Sequence, residues 1–551
     1  MLHATSAQHL HPQDPAPEAK SYVHPDELRT GFALAMSQMY RNEVPLYGDL
    51  VRIVQGVNQN VLLSRNSSAD TNKGTTDSPA RLSLERHGAI RLGLPSELRT
   101  VRRIFAVLGM YPVGYYDLSV AGLPMHATCF RPTTSASLAS NPFRIFTTLL
   151  RPELVKSEDG ARDLTLQLLS RRTLFSPELL DMLDTAEQQQ HNLYADQAET
   201  FIREALRTFS WASGVAASTA DEYTRLRAEH PVLADIACFR TAHINHLTPR
   251  TLDIDAVQRA MVSEGMAVKE RIEGPPRRRF PILLRQTSFL ALDEPVHFLA
   301  KNVASAEVNE SSSTSEHVDN RQEGLVEGTH CARFGEIEER GAAVTPAGRH
   351  LYDELLAQAM ASINACSDGR KYNDILTETF RDRYPDNLSE LCRQRLIFCR
   401  YRCAGKIPTT MHPDVAALIS RGGTPSEIRN AIDEDEEAVI KCVDCLVDEG
   451  VLVAEPITYE DFLPFSAAGI FQSNLQKAGS SSSAGASIGE KKVSPHSGSA
   501  MDSSLGCRGG DQGSLEEALG CAITDPDVLY SQLQKESLSE CLLELQLTKA
   551  A

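Results

Sequence analysis

No apolar run in the chain reaches the roughly 18 residues that a membrane-spanning helix needs, so no span is expected. Positive charge is also scarce. Against 73 Asp and Glu stand 55 Lys and Arg, a net charge of −18. That balance excludes broad affinity for nucleic acid or anionic membrane surfaces, and the local run Arg277-Arg278-Arg279 does not reverse it. The opening MLHATSAQHLHPQDPAPEAK carries Pro, Asp and Glu but no apolar core, and is not expected to act as a secretory or transit signal. A Walker loop, a G-x-S-x-G elbow and a G-x-G-x-x-G turn after a strand are all missing. The 12 cysteines are scattered rather than framed as a disulfide scaffold, which suits reduced thiols in the cytoplasm.

What remains is ordinary globular material. The chain has 551 residues, 42% hydrophobic and 23% charged, enough for a large core. Residues 1–80 read as N-terminal helix, with apolar periodicity over 26–56, followed by a polar loop. Residues 301–328 and 476–513 are biased toward small and polar residues and are expected to be disordered inserts. One order of elements occurs twice. In residues 81–155, GAIRLGL reads as a strand, SELRTVRRIFAVLGM as a helix with Ser96 as its N-cap, and YPVGYYDLSV, PMHATCFRP and FRIFTTLLR as three strands. In residues 236–345, the strand is AHINHLTP, the helix DIDAVQRAMVSEGM, and the three strands VKERIEG, PILLRQTSFLAL and HCARFGEIEERG. The predicted fold is therefore α+β, with two β-α-β-β-β modules side by side in a half-open barrel. Helical segments fill 156–235 between the modules and 346–475 after them, and closing helices occupy 514–551.

A mononuclear iron site that activates O₂ often uses two His and one carboxylate. His87 stands at the edge of the first module's first strand, and His243 and His246 on the second's. His330, Glu336 and Glu338 fall in the last strand-like run. Strand neighbours alternate between faces, so His243 and His246, an odd distance apart, do not share a face in a regular strand. His330, Glu336 and Glu338 share parity, and alternation does not choose among them. The same residues read equally as strand-end hydrogen-bond donors and a solvated acidic face. Arg91 lies four residues beyond His87, on the same face and about 13 Å away along an extended strand. Its fork suits a carboxylate, or a surface ion pair. Cys442-Val-Asp-Cys445 with Cys399 and Cys403 raises a zinc site, but the second pair has the wrong spacing and reads as helical, so ordinary thiols are expected.

EVPLYGDL (43–50), ERHGAIRLG (85–93), FAVLGMYPVGYYDLS (105–119), NPFRIFTTLLR (141–151), HINHLTPRTLDID (243–255), IEGPPRRRFPILLRQTSF (272–289), ARFGEIEERG (332–341) and YEDFLPFSAAGIFQSNL (459–475) run through most of the chain. In these the chain resembles the 2-oxoadipate dioxygenase/decarboxylase family of the vicinal oxygen chelate superfamily. The resemblance implies that Fe(II) is held by His87, His246 and Glu336. It implies that Arg91, Phe465 and Ser466 contact substrate, with Phe465 replacing a family Val. It further implies that 2-oxoadipate and O₂ become 2-hydroxyglutarate and CO₂, a step of lysine breakdown. Left open are a different 2-oxo acid, an isomerase on the same fold, and a non-catalytic acid-binding protein.

Overall fold

The computed structural model describes residues 21–67, 79–84, 86–155, 159–211, 214–300, 325–365, 372–405, 424–434, 436–463 and 511–550. Among the described residues twelve strands are β1 (Arg86–Leu92), β2 (Tyr111–Asp117), β3 (Met125–Arg131), β4 (Arg144–Leu150), β5 (Val215–Thr219), β6 (His246–Thr251), β7 (Leu284–Ser288), β8 (Asp293–Leu299), β9 (Leu325–Cys331), β10 (Phe334–Arg340), β11 (Cys399–Cys403) and β12 (Leu452–Pro456). Seven form one curled sheet in the order β2-β3-β4-β1-β6-β10-β7. β1 pairs in parallel with β4, and β6 in parallel with β10. The two halves meet where β1 and β6 run antiparallel, with Ala89 opposite His246. This is the expected pair of modules, joined at their first strands.

The convex face of the sheet is covered by helices. Ile90 and Leu92 from β1 and Leu247 from β6 pack there with Phe32, Tyr40, Phe105 and Phe201. Alternation turns His87, Ala89 and Arg91 to the concave face, where Ala89 joins a second cluster with Tyr116, Phe146 and Phe462. A polar row buried on that face requires internal partners, which the functional site supplies.

Several expectations are corrected. The helix over 26–56 is two helices, Pro25–Glu43 and Pro45–Ser67, since Pro45 cannot continue the preceding hydrogen-bond ladder. Ser96 is not the N-cap of the helix Pro95–Val107, because Leu94 holds that position. Glu97 instead turns back to accept from the N–H groups of Gly93 (2.8 Å) and Leu94 (3.1 Å). Asp253 does cap the helix Ile254–Ser263, accepting from Ala256 N at 2.9 Å. VKERIEG is not a strand; it lies along β7 with isolated bridges at Glu273–Gln286 and, just past the end of β7, at Val268–Phe289. The run HCARFGEIEERG is two strands, broken at Ala332 and Arg333. Its first part, β9, pairs with β8 in a separate sheet of order β5-β8-β9. Residues 325–328, read as insert, belong to β9, while 301–324 lie outside the described residues. Residues 399–403, read as helical, form β11, which pairs with β12. The helices Gln512–Leu519 and Pro526–Ala550 close the chain as expected.

Candidate metal centre

His87, His246 and Glu336 come together at the middle of the concave face. Their ligand atoms all lie within 4.8 Å of one another, and all three residues are buried. The register explains the meeting. Thr248 of β6 stands opposite His87, and β10 runs alongside β6. Glu336 Oε1 is 3.0 Å from His87 Nε2, and accepts from Thr248 Oγ1 (3.1 Å) and Gln286 Nε2 (2.9 Å). Burial holds His246 neutral by pushing it down to about 3, with Glu336 opposing. For Glu336 itself burial favours the acid, but His246 and His87 outweigh it and its carboxyl stays below the usual range. Two imidazoles and an ionised carboxylate are a fit donor set for a divalent first-row metal.

Glu338, two residues on, has a different setting. Arg144 reaches both of its oxygens (2.7 and 2.6 Å) and Arg340 donates through Nε (2.8 Å). These two cations outweigh burial and hold Glu338 well below the usual carboxylate range. His87 Nδ1 lies 3.2 Å from Glu338 Oε1, so the ring donates there and turns Nε2 to the centre of the triad.

His243 is not on β6, which begins at His246. Its Nε2 donates to Asp235 Oδ1 (3.2 Å), which also accepts from His330 Nε2 (3.0 Å). Arg91 pairs with Asp235 Oδ2. Burial would raise the Asp235 carboxyl, but Arg91 and the two histidines bring it well below its usual range. His330 is backed by Tyr223 OH at 2.9 Å and stacks on Trp211. Asp235, His243 and His330 form a second compact group. Its only carboxylate already carries the Arg91 guanidinium.

The segment after β12 closes the site from one side. The Phe462 ring is 4.9 Å from His87 and lies under the Arg144 guanidinium at 4.3 Å. Arg131 clamps Asp461 at 2.8 and 3.0 Å, and Tyr530 adds a bond of 2.6 Å. Arg81 and Arg340 hold Glu460 at 2.6 and 2.5 Å. Phe465 and Ser466 lie outside the described residues, which stop at Leu463 before resuming at residue 511. No cysteine joins a candidate metal group among the described residues. Cys442 and Cys445 lie on the helix Glu436–Asp448.

Sequence reasoning did not find the roles of Glu338, Asp235 or Phe462. Parity put Glu338 on the right face, but of the two arginines that claim it only Arg340 is local, and Arg144 comes from β4. Asp235 sits on the short helix Pro231–Ala237, at the end of the helical insertion 156–235, and nothing local marks it.

The family model described as 2-oxoadipate dioxygenase/decarboxylase matches residues 32–474. The chain belongs to the 2-oxoadipate dioxygenase/decarboxylase family. A relative of that name from Escherichia coli (strain K12) is 42% identical over 94% of this chain and 98% of its own. Another from Pseudomonas putida is 40% identical over 96% of this chain and 99% of its own. The crystal structure of the hydroxyglutarate synthase in complex with 2-oxoadipate from Pseudomonas putida covers 96% of this chain and 100% of its own, at 38% identity and a TM-score of 0.71. Membership of the dioxygenase/decarboxylase family thus rests on nearly the whole chain.

Proposed function

We propose that the chain is an iron-dependent 2-oxoadipate dioxygenase/decarboxylase that forms 2-hydroxyglutarate and CO₂, with His87, His246 and Glu336 as the metal ligands. The observation that carries the reading is the convergence of these three buried groups, from both halves of the sheet, in a chain of this family. Bound there, Fe(II) would supply the electrons and open coordination positions that let O₂ react with a 2-oxo carboxylate. Atoms balance without an outside reductant. The C1 carboxylate leaves as CO₂, one oxygen atom enters the new carboxylate at the former keto carbon, and the other forms the hydroxyl on the next carbon.

The chain's own residues prepare that chemistry. Glu338 holds the Nδ1 proton of His87, fixing ring and tautomer. Phe462 covers one side of His87 and keeps water from it. Arg91, seated by Asp235, orients a substrate carboxylate, and Phe465 and Ser466 complete the substrate contacts. None of the ten described cysteines is in a disulfide, which suits the cytosol. Among the described residues no helix is long and apolar enough to cross a membrane.

Oxygen uptake and product identification across a chain-length series of 2-oxo acids test the reading. The expected optimum is 2-oxoadipate, yielding 2-hydroxyglutarate. A preference for another length reassigns the substrate, and no uptake with any of them, iron supplied, refutes the activity. Metal analysis tests the ligands: His246→Ala is expected to lose iron and turnover, whereas His243→Ala keeps its iron. Equal loss in both would overturn the assignment.

A further inference from the structure

A 2-oxo diacid carries two carboxylates, and the concave face carries a second cation that the triad and the Arg91 group do not use. Lys269 lies in the segment beyond β7. Its backbone N–H donates to Ser288 O at 2.9 Å, and Ser288 stands directly opposite Glu336 in the sheet. Two strand spacings therefore separate the backbones of Lys269 and Glu336, about 10 Å, which a lysine side chain spans in large part. The alternation agrees. Val268 bridges to Phe289, a residue of the convex core, so Lys269 beside it faces the concave side with Ser288 and Gln286.

The charge of Lys269 is felt at His246 and at Glu336. Its side chain is 10% exposed, and Glu273, one helical turn's worth of residues later, lies 3.9 Å from Nζ. Glu273 is tied to Gln286 by two backbone bonds (2.8 and 3.0 Å), and the Gln286 side chain reaches Glu336. Ser288 Oγ, also on this wall, is buried without a hydrogen-bond partner. A buried hydroxyl and an ammonium side by side place two donors on one wall, suited to an anion.

We propose that Lys269, with Ser288 beside it, receives the C1 carboxylate of the 2-oxo acid, while Arg91 takes the distal one. Position separates the two cations. Lys269 stands across one strand from Glu336, whereas Arg91 lies four residues up β1 from His87 and is seated by Asp235 at the end of the sheet. Lys269 is thus a recognition residue for the end of the substrate that reacts, common to every 2-oxo acid. Arg91 reads whether a second carboxylate is present.

This rests on the proposed function, and a crossed binding experiment separates the two. Iron-loaded protein is titrated without oxygen by calorimetry with 2-oxoadipate and with 2-oxohexanoate, which lacks the distal carboxylate. Lys269→Met is expected to raise Kd for both acids roughly ten- to hundredfold, the range of a lost charge-assisted contact. Lys269→Arg should recover most of that loss, and Arg91→Ala should weaken only the diacid. Iron content and Tm of each variant are read alongside. If Lys269→Met does not fold, Lys269→Gln carries the same expectation. Unchanged Kd for both acids in a neutral variant overturns the proposal, and so does a loss confined to the diacid. If the wild type neither binds nor consumes 2-oxoadipate, the proposed function fails instead.

Discussion

Glu336 and Glu338 occupy one strand, face one way and serve different ends. The difference lies in their neighbours. Glu336 is surrounded by imidazoles, a hydroxyl and an amide, while Glu338 is claimed by Arg144 and Arg340. A carboxylate already neutralised by two guanidiniums is a poor metal ligand but a strong acceptor for an imidazole N–H. Glu338→Gln should therefore keep the triad and loosen it. Metal affinity is expected to fall roughly 10- to 100-fold, as for other changes behind a ligand. Competition with a calibrated chelator measures it, and an unchanged affinity would remove Glu338 from that role. Parity in the sequence left this pair undecided because alternation reports a face and not a partner. The family resemblance named Glu336; the two arginines give the physical reason for the choice.

At the scale of elements, the second half of the sheet departs most from its expected form. The first module keeps four hydrogen-bonded strands, while the second keeps three, with 268–274 reduced to bridges along β7. Gly274 ends that segment at φ +106, where an added Cβ would lie 2.2 Å from Leu284 O. Neither the backbone angle nor the space admits a side chain. Gly274→Ala should push the segment off β7 and cost about 1–3 kcal/mol. Because Lys269 and Glu273 ride on the segment, substrate binding should weaken too. Denaturant unfolding together with ligand titration checks both effects, and wild-type values in either would show that the segment is not anchored there. The alternating pattern of VKERIEG was readable as a strand, but among the described residues it meets β7 through isolated bridges and single backbone bonds rather than a continuous ladder. The break at Ala332–Arg333 was equally hidden. Arg333 is drawn away by Glu294 and Glu43, contacts made across hundreds of residues or dozens, and periodicity carries no record of them.

For the whole molecule, a polar interior imposes a pH dependence on stability. His126 on β3 is 2% exposed, and burial, seconded by Arg151, pushes it down to about 4. Its folded pKa lies below the ordinary value near 6.5, so the fold favours the neutral ring. As pH falls through that window the unfolded chain takes up a proton that the folded chain refuses, and stability drops. The loss should reach up to about 3 kcal/mol by the lower end. Denaturant midpoints from pH 7 to 4 should fall more steeply in the wild type than in His126→Gln, and parallel curves would contradict this. The sequence by itself determined the fold class, the repeated order of elements, and the family with its expected ligands, because alternation, capping residues and long motifs are local and survive in one dimension. Only the tertiary structure decided that the modules join through β1 and β6, that Arg144 pairs with Glu338, that His243 pairs with Asp235, and that Lys269 lies beside Ser288. Each depends on strands that meet across a fold, and a buried charge finds its partner in space rather than along the chain.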